Sequence, residues 1–442
     1  MVKITEKIEI PSSIQKTILK KVEGVLDLGN LVEKCLHKDT SFLLSVILQG
    51  AIHLSASDIH LEPRESDVKM RIRIDGMLQD VSIIPPKVYH FLLSRIKLLA
   101  GLKLNIHNRP QDGSFSVILP ALSKKERVKE IEIRTSALPA DYGESIVMRI
   151  LDPANLRSIE ELGLREDLLE LFKKEIKKPN GMIIVTGPTG SGKTTTLYAF
   201  LEYLKKPQIK IITIEDPIEY RLEGISQTEV HPERGYDFAN GLRAIVRQDP
   251  DVILVGEIRD LETAQIAIQA ALTGHLVFST LHTNDAAGTI PRLVSLGARP
   301  SNIAPAINLA IAQRLVRKIC PKCFILRPLK EEEKKIIQEG LGNIPSHLKK
   351  KYSLENLNEV QIKEGKGCKF CNFTGFKGRI GIFEAFVVNE EMEDLILKNP
   401  SIPEIKRLAR KHGMVSMYQD GLLKVLLGIT TIEEVQRVAK EE

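Results

Sequence analysis

Tryptophan is absent from the 442-residue chain, and Phe, Tyr and Trp together make only 5% of it. Stacking platforms for single-stranded nucleic acid are therefore scarce. Long apolar runs are missing too: no stretch approaches the roughly 18 residues that a membrane-spanning helix needs. The start, MVKITEKIEIPSS, has no apolar core of the kind a secretory signal carries, so the chain is expected to stay in the cytoplasm. Charge is nearly balanced. Lys and Arg number 63 against 57 Asp and Glu, a net +6 spread along the chain without a basic stripe. That balance argues against direct nucleic-acid binding and is compatible with an anionic ligand or an acidic membrane surface. No fixed-period repeat or low-complexity tract is present.

The remaining composition, 43% hydrophobic and 27% charged, is that of a globular protein with a sizeable core. At about 100–200 residues per domain, two or three domains are expected. Residues 1–40 are polar and weakly periodic and read as a short N-terminal segment. Residues 41–151 read as a small α+β domain. Helical spacing at Phe42, Leu43, Val46, Ile47 and Ala51 is followed by the alternating strand Val68–Ile74, with Asp75-Gly76 as a hairpin turn. A helix is expected over Tyr89–Gly101, and alternating strands over Glu130–Thr135 and Ser145–Ile150. Residues 152–164 read as a linker. From 165 to 315 short apolar strands alternate with helices, which predicts an α/β core with a mostly parallel sheet. Its strands are Met182–Val185, Ile209–Ile214, Val252–Val255 and Leu276–Leu281. Residues 316–380 are charged, Gly-rich and carry paired cysteines; residues 381–442 read as helical.

Gly187-Pro188-Thr189-Gly190-Ser191-Gly192-Lys193-Thr194 matches G-x-x-x-x-G-K-[ST], after an apolar strand and before the helical run Thr195–Leu204. In that context the glycines let backbone N–H groups wrap phosphates at a helix N-terminus. Lys193 is positioned for the β- and γ-phosphates, and Thr194 for the Mg²⁺ that accompanies ATP.

In an open α/β sheet, ligands sit beyond the carboxyl ends of the strands. Each predicted strand here ends in chemistry: the phosphate loop, then Glu215-Asp216, then Gly256-Glu257, then His282. Glu257, directly after a strand, is the first candidate for polarising the attacking water or helping to hold Mg²⁺. Glu215 is the second, and the sequence does not divide the two roles between them. His282 is a candidate sensor of the γ-phosphate. His275 is left between the same role, a subunit contact and a structural one.

Five cysteines are present, and four form Cys320-Pro-Lys-Cys323 and Cys368-Lys-Phe-Cys371, with 44 residues between the pairs. Two such pairs supply the four thiolates of a structural, tetrahedral Zn²⁺, with the intervening residues as a helical excursion closed at its base. Cys35 reads as an ordinary packed residue.

At these positions the chain resembles the type II secretion and type IV pilus assembly ATPases of the secretion ATPase superfamily. The resemblance runs from about Ala56 to the C-terminus. It rests on GPTGSGKTTTLY (Gly187–Tyr198), ITIEDPIEY (Ile212–Tyr220), RQDPDVILVGEIRD (Arg247–Asp260) and TGHLVFSTLHTNDA (Thr273–Ala286). In the first half it rests on ASDIHLEP (Ala56–Pro63), RIRIDG (Arg71–Gly76) and PQDG (Pro110–Gly113). The resemblance implies a PAS-like N-terminal domain, a RecA-like P-loop domain, and a homo-hexameric ring at the cytoplasmic face of the inner membrane. Hydrolysis there drives an inner-membrane platform protein that adds subunits to a filament. It further implies that Arg134 and Arg149 act on the γ-phosphate, and that the tetracysteine motif marks assembly rather than retraction motors. Arg71 and Arg73 are expected on a structural or subunit-contact face. Two departures stand out. Many members carry Arg or Lys after PQDG where this chain has Ser114, and longer members have a further N-terminal docking domain. A retraction motor and a RecA-like nucleic-acid motor are the alternative readings.

Overall fold

The computed structural model describes residues 6–123, 127–352 and 354–439. The chain forms two compact units. The first comprises residues 1–155 with two distant segments, 320–323 and 366–377; the second comprises 156–319, 324–365 and 378–442.

The first unit is built on a seven-stranded sheet in the order β1-β5-β6-β7-β2-β3-β4. Its strands are β1 (Lys7–Glu9), β2 (Asp58–Pro63), β3 (Val68–Ile74), β4 (Met77–Ile84), β5 (Gln111–Leu119), β6 (Lys129–Ala140) and β7 (Gly143–Leu151). Strand β3 buries every second residue, as its alternation predicts. Asp75 and Gly76 take φ of 52° and 85°, the two left-handed positions of a tight hairpin to β4. The expected helix at 89–101 runs over Pro86–Leu99.

Residues 1–40 correct the sequence reading. Weakly periodic as they read, residues 7–35 contribute β1, which pairs in parallel with β5, and the helices Ser12–Lys21 and Val25–Cys35. The second helix buries Val25, Leu28, Val32 and Cys35, a stripe at helical spacing that its polar flanks obscure.

The second unit contains a seven-stranded sheet in the order β10-β9-β11-β12-β8-β13-β16. Its strands are β8 (Gly181–Thr186), β9 (Ile211–Glu215), β10 (Ser226–Glu229), β11 (Val252–Val255), β12 (Leu276–Leu281), β13 (Ile307–Ile319) and, after the separate antiparallel pair β14 (Phe324–Pro328) and β15 (Gln361–Gly365), β16 (Phe376–Val387). The strands from β10 to β13 pair in parallel. β8, β9, β11 and β12 are buried at every residue, because helices cover both faces. Beneath the helix Lys193–Leu204, Phe200 packs edge-on against Phe172 with ring centres 5.8 Å apart, and Phe172 packs likewise against Phe383 at 6.3 Å. That aromatic wedge fixes the helix on which the phosphate loop opens. Between the cysteine pairs the helices Glu331–Leu341 and Ser346–Lys351 lie between the antiparallel strands β14 and β15, the expected excursion with a two-stranded base.

Candidate functional site

The parallel register brings the predicted residues to one edge. Val255 of β11 lies opposite Ile214 of β9 and Ser279 of β12, and Leu281 of β12 lies opposite Thr186 of β8. The residues that follow these strands therefore emerge side by side. Buried hydroxyls lock the strand ends. Thr186 Oγ1 donates to Leu281 O at 3.0 Å, Ser279 Oγ to Val255 O at 2.9 Å and Thr280 Oγ1 to Gly256 O at 2.8 Å.

The loop 187–192 leaves β8 and enters the helix Lys193–Leu204 with Gly190 and Gly192 at φ of 77° and 91°. A side chain on Gly192 would also meet Gln313 Nε2 at 2.8 Å, so both the turn and the space require glycine. Pro188, Thr189 and Gly190 are exposed, whereas Lys193, Thr194 and Thr195 are half-buried. Lys193 Nζ folds back on the loop, donating to Gly187 O at 2.8 Å and Pro188 O at 3.2 Å. Burial pushes its ammonium below the usual lysine range, against the pull of Glu257. Ser191 Oγ is buried with no hydrogen-bond partner among the described residues. A buried unpaired hydroxyl and a cation that, among the described residues, hydrogen-bonds to carbonyl oxygens both fit an anion cradle.

The two acidic candidates occupy opposite environments. Glu215 is 3% exposed. It accepts from Tyr198 Oη, from Thr213 Oγ1 at 2.6 Å and from Gln227 Nε2 at 3.2 Å. Burial outweighs those bonds and raises its carboxyl above the usual range. Glu257 pairs with Arg259, and His282 Nε2 lies 3.4 Å from its Oε2. Burial opposes its charge, but Arg259 and then His282 outweigh it and hold the carboxyl below the usual range. One carboxyl is thus pushed towards the neutral form and the other towards the ionised one. Arg259 also lies 3.7 Å from Asp216. Asp260 caps the helix Leu261–Leu272 through Thr263 N–H at 2.8 Å. His275 is not brought to the loop. It sits at the amino end of β12 with Nδ1 3.0 Å from Ala270 O, a strand's length from His282.

The arginines of the first unit form a row. Ser114 of β5, Arg134 of β6, Arg149 of β7, Asp58 of β2 and Arg73 of β3 are successive cross-strand partners. Arg149 Nε lies 3.1 Å from Asp58 and Arg73 Nε 3.4 Å from it, while Arg134 Nε is 3.8 Å from Glu132. Ser114 stands directly opposite Arg134, so the departure from the family's pattern falls in this row. Arg71, one turn of the pleat away, pairs with Glu62 at 2.5 Å.

The four cysteine sulfurs lie within 4.8 Å of one another. Cys320–Cys368, Cys323–Cys371 and Cys368–Cys371 are 3.9, 3.8 and 3.8 Å apart. These three separations match the edges of a ZnS₄ tetrahedron with Zn–S of about 2.3 Å, and they are far too long for disulfides. The cluster's loop is tied into the first unit: Asn372 Oδ1 accepts Val25 N–H at 2.8 Å, capping the helix Val25–Cys35. Cys35 stands apart and buried.

Gln313 and Arg314, on β13 beside the loop, were not visible as site residues in the sequence. Gln313 is 2% exposed and accepts from Thr196 Oγ1 at 2.7 Å. Arg314 Nη2 donates to Asn284 O at 2.8 Å. The strand pairing β13–β8 puts them there, and no local motif announces it.

Residues 37–437 match the family described as type II/IV secretion system protein. The chain is 44% identical over 403 residues to "Type II secretion system protein E" of Xanthomonas campestris, covering 90% of this chain and 67% of that one. It is 42% identical over 430 residues to "Type IV pilus assembly ATPase PilB" of Pseudomonas aeruginosa, covering 95% and 72%. A third relative, the PilB of Thermus thermophilus, is 43% identical but only 42% of its length is covered. Among solved structures, the pilus retraction motor PilT with bound ADP aligns over 89% of this chain and 96% of its own at a TM-score of 0.58 and 28% identity. The ATPase DotB of Yersinia pseudotuberculosis, at 20% identity and a TM-score of 0.66, shares the fold. With its phosphate loop, paired strand-end acids and match across nearly the whole chain, this protein belongs to the type II/IV secretion system protein family, the family of secretion and pilus-assembly ATPases.

Proposed function

We propose that this ATPase works as a homo-hexameric ring, its first unit a PAS-like domain and its second a RecA-like domain. It acts at the cytoplasmic face of the inner membrane and drives a platform protein that assembles a type IV pilus or a type II secretion pseudopilus. The observation that carries the reading is the meeting of Lys193, Glu257 and His282 at the aligned carboxyl ends of β8, β11 and β12. Glu257, kept ionised by Arg259 and His282, suits the orientation and polarisation of the attacking water. His282, 3.4 Å from Glu257, suits a role in registering the terminal phosphate through it. Glu215, protected by Tyr198, Thr213 and Gln227, suits a role in holding the site's shape and its water. Thr194 is the residue to hold Mg²⁺, which when bound neutralises charge developing on the phosphates. Arg134 and Arg149 lie in a row where cations outnumber carboxylates, which suits an anionic group brought to that face. Cys320, Cys323, Cys368 and Cys371 fit a structural Zn²⁺ that closes the excursion.

Assembly is favoured over retraction on two grounds. All four cysteine sulfurs lie within 4.8 Å of one another, and assembly relatives reach 42–44% identity against 28% for the retraction motor. Among the described residues no helix is long and apolar enough to cross a membrane, which suits attachment through a partner.

The test is phosphate release by purified, assembled protein with Mg²⁺. Lys193→Ala should lose ATP binding. Glu257→Gln should bind ATP and turn over about 10²–10⁴-fold more slowly, the usual contribution of a positioned base. Normal turnover by Glu257→Gln would remove Glu257 from the chemistry. ATPase stimulated by DNA in a salt-sensitive way would point to a nucleic-acid motor instead.

A further inference from the structure

Two basic side chains converge on Gly187. Lys193 reaches it from the helix, donating to its carbonyl oxygen at 2.8 Å. Arg314 reaches it from β13: a Cβ built on Gly187 would lie 3.1 Å from Arg314 Nη1. Like Lys193, Arg314 is half-buried and bonded to main-chain oxygens, Gln313 O at 3.1 Å and Asn284 O at 2.8 Å. Among the described residues neither cation has an ion pair within 4.0 Å. The acids that act on Arg314 are already engaged. Asp285 is 2.8 Å from Lys406 Nζ, and Glu384 accepts the N–H groups of Ala286 and Met417.

Two neighbouring cations, partly stripped of water and without a paired anion, are an unfavourable arrangement on their own. A ligand carrying several negative charges reverses the sign. The strand that carries Arg314 is held in place, because Thr196 Oγ1 in the first turn of the phosphate-loop helix bonds Gln313 Oε1 at 2.7 Å. The guanidinium also spans from the loop to Asn284, two residues beyond His282.

We propose that Arg314 is a second phosphate-contacting cation, supplied by the same subunit as Lys193. On nucleotide entry it exchanges the Asn284 carbonyl for a phosphate oxygen of the nucleoside di- or triphosphate. The segment after β12 is thereby held when the loop is empty and released when it is filled. This assignment rests on the reading of Gly187–Thr194 as the nucleotide site.

The experiment is calorimetric titration of the full chain with ATP and with ADP in Mg²⁺, and thermal melting with and without ATP, for wild type, Lys193→Ala, Arg314→Ala and Arg314→Lys. Arg314→Ala should bind ATP about tenfold or more weakly, the effect of losing one charge-assisted hydrogen bond. Arg314→Lys should recover part of it. Melting without nucleotide should change little in Arg314→Ala, since relief of an unpaired cation offsets the lost bond to Asn284 O, while the rise induced by ATP shrinks. Binding of ATP by Arg314→Ala within about twofold of wild type overturns the proposal. Should Arg314→Ala fail to fold, Arg314→Gln and Arg314→Lys make the same comparison. Failure of wild type itself to bind ATP would instead overturn the nucleotide reading, and is distinguishable because Lys193→Ala would then differ in nothing from wild type.

Discussion

Replacing Asp420 by alanine should strip the anion from a buried cluster behind the ATPase core. Asp420 is 0% exposed. Its Oδ1 accepts from Arg165 Nη1 at 2.9 Å, and its Oδ2 from Lys424 Nζ at 2.5 Å and Phe383 N–H at 2.9 Å. Burial opposes its charge, but Lys424 and Arg165 outweigh burial and hold the carboxyl below the usual range. Arg165 and Lys424 are each only 4% exposed in their side chains, and Arg165 retains Asp167 at 3.0 Å. Removing one partner of a buried ion pair costs about 3–5 kcal/mol. The surviving Asp167 contact places the expectation near the lower figure. At about 2–4 °C per kcal/mol for a large domain, the melting temperature should fall by roughly 6–12 °C. Scanning calorimetry of Asp420→Ala and Asp420→Asn measures it, with Asn intermediate because it keeps an acceptor for Phe383 N–H. A depressed carboxyl contributes stability above its unfolded pKa and loses it as pH falls through the folded value, so the gap to wild type should close in acid. Melting of Asp420→Ala within about 2 °C of wild type at neutral pH would refute the reasoning.

Two further outcomes follow from the other polar clusters. Cys371→Ser should reduce tightly bound zinc from about one per chain to none by mass spectrometry. It should also speed hydrogen exchange at Val25, whose N–H is held by the neighbouring Asn372; retained zinc would refute the tetrahedral site. Glu215→Gln should gain stability relative to wild type as pH rises from acid to neutral. A carboxyl whose folded pKa is raised stabilises the fold at low pH and loses that contribution as pH rises, whereas glutamine does not titrate. Melting curves that shift in parallel at every pH would show that Glu215 is ionised at no cost.

The phosphate loop and the strand-end acids were legible because their signals are local. A glycine pattern between an apolar strand and a helix, or an acid directly after four buried residues, carries its context within about ten positions. His282 was legible for the same reason. His275 shares its motif but sits on the wrong end of β12, a distinction that strand direction makes and residue type does not. Helix Val25–Cys35 escaped because a four-residue stripe among polar neighbours is weak evidence until something packs on it.

Residue order by itself therefore determined the parallel core, the phosphate loop, the two acids at strand ends and the two cysteine pairs. Each of these is written in near-neighbour spacing, and backbone geometry turns such spacing directly into local structure. Tertiary structure alone decided that β13 lies beside β8 and so sets Gln313 and Arg314 against the loop. It also decided that Ser114, Arg134, Arg149, Asp58 and Arg73 share one row, and that Glu215 and Glu257 have carboxyls shifted in opposite directions. Those facts depend on strand pairing and burial between residues tens to hundreds of positions apart. Charge, solvation and hydrogen bonding at a side chain are properties of its neighbours in space, and only the folded chain chooses them.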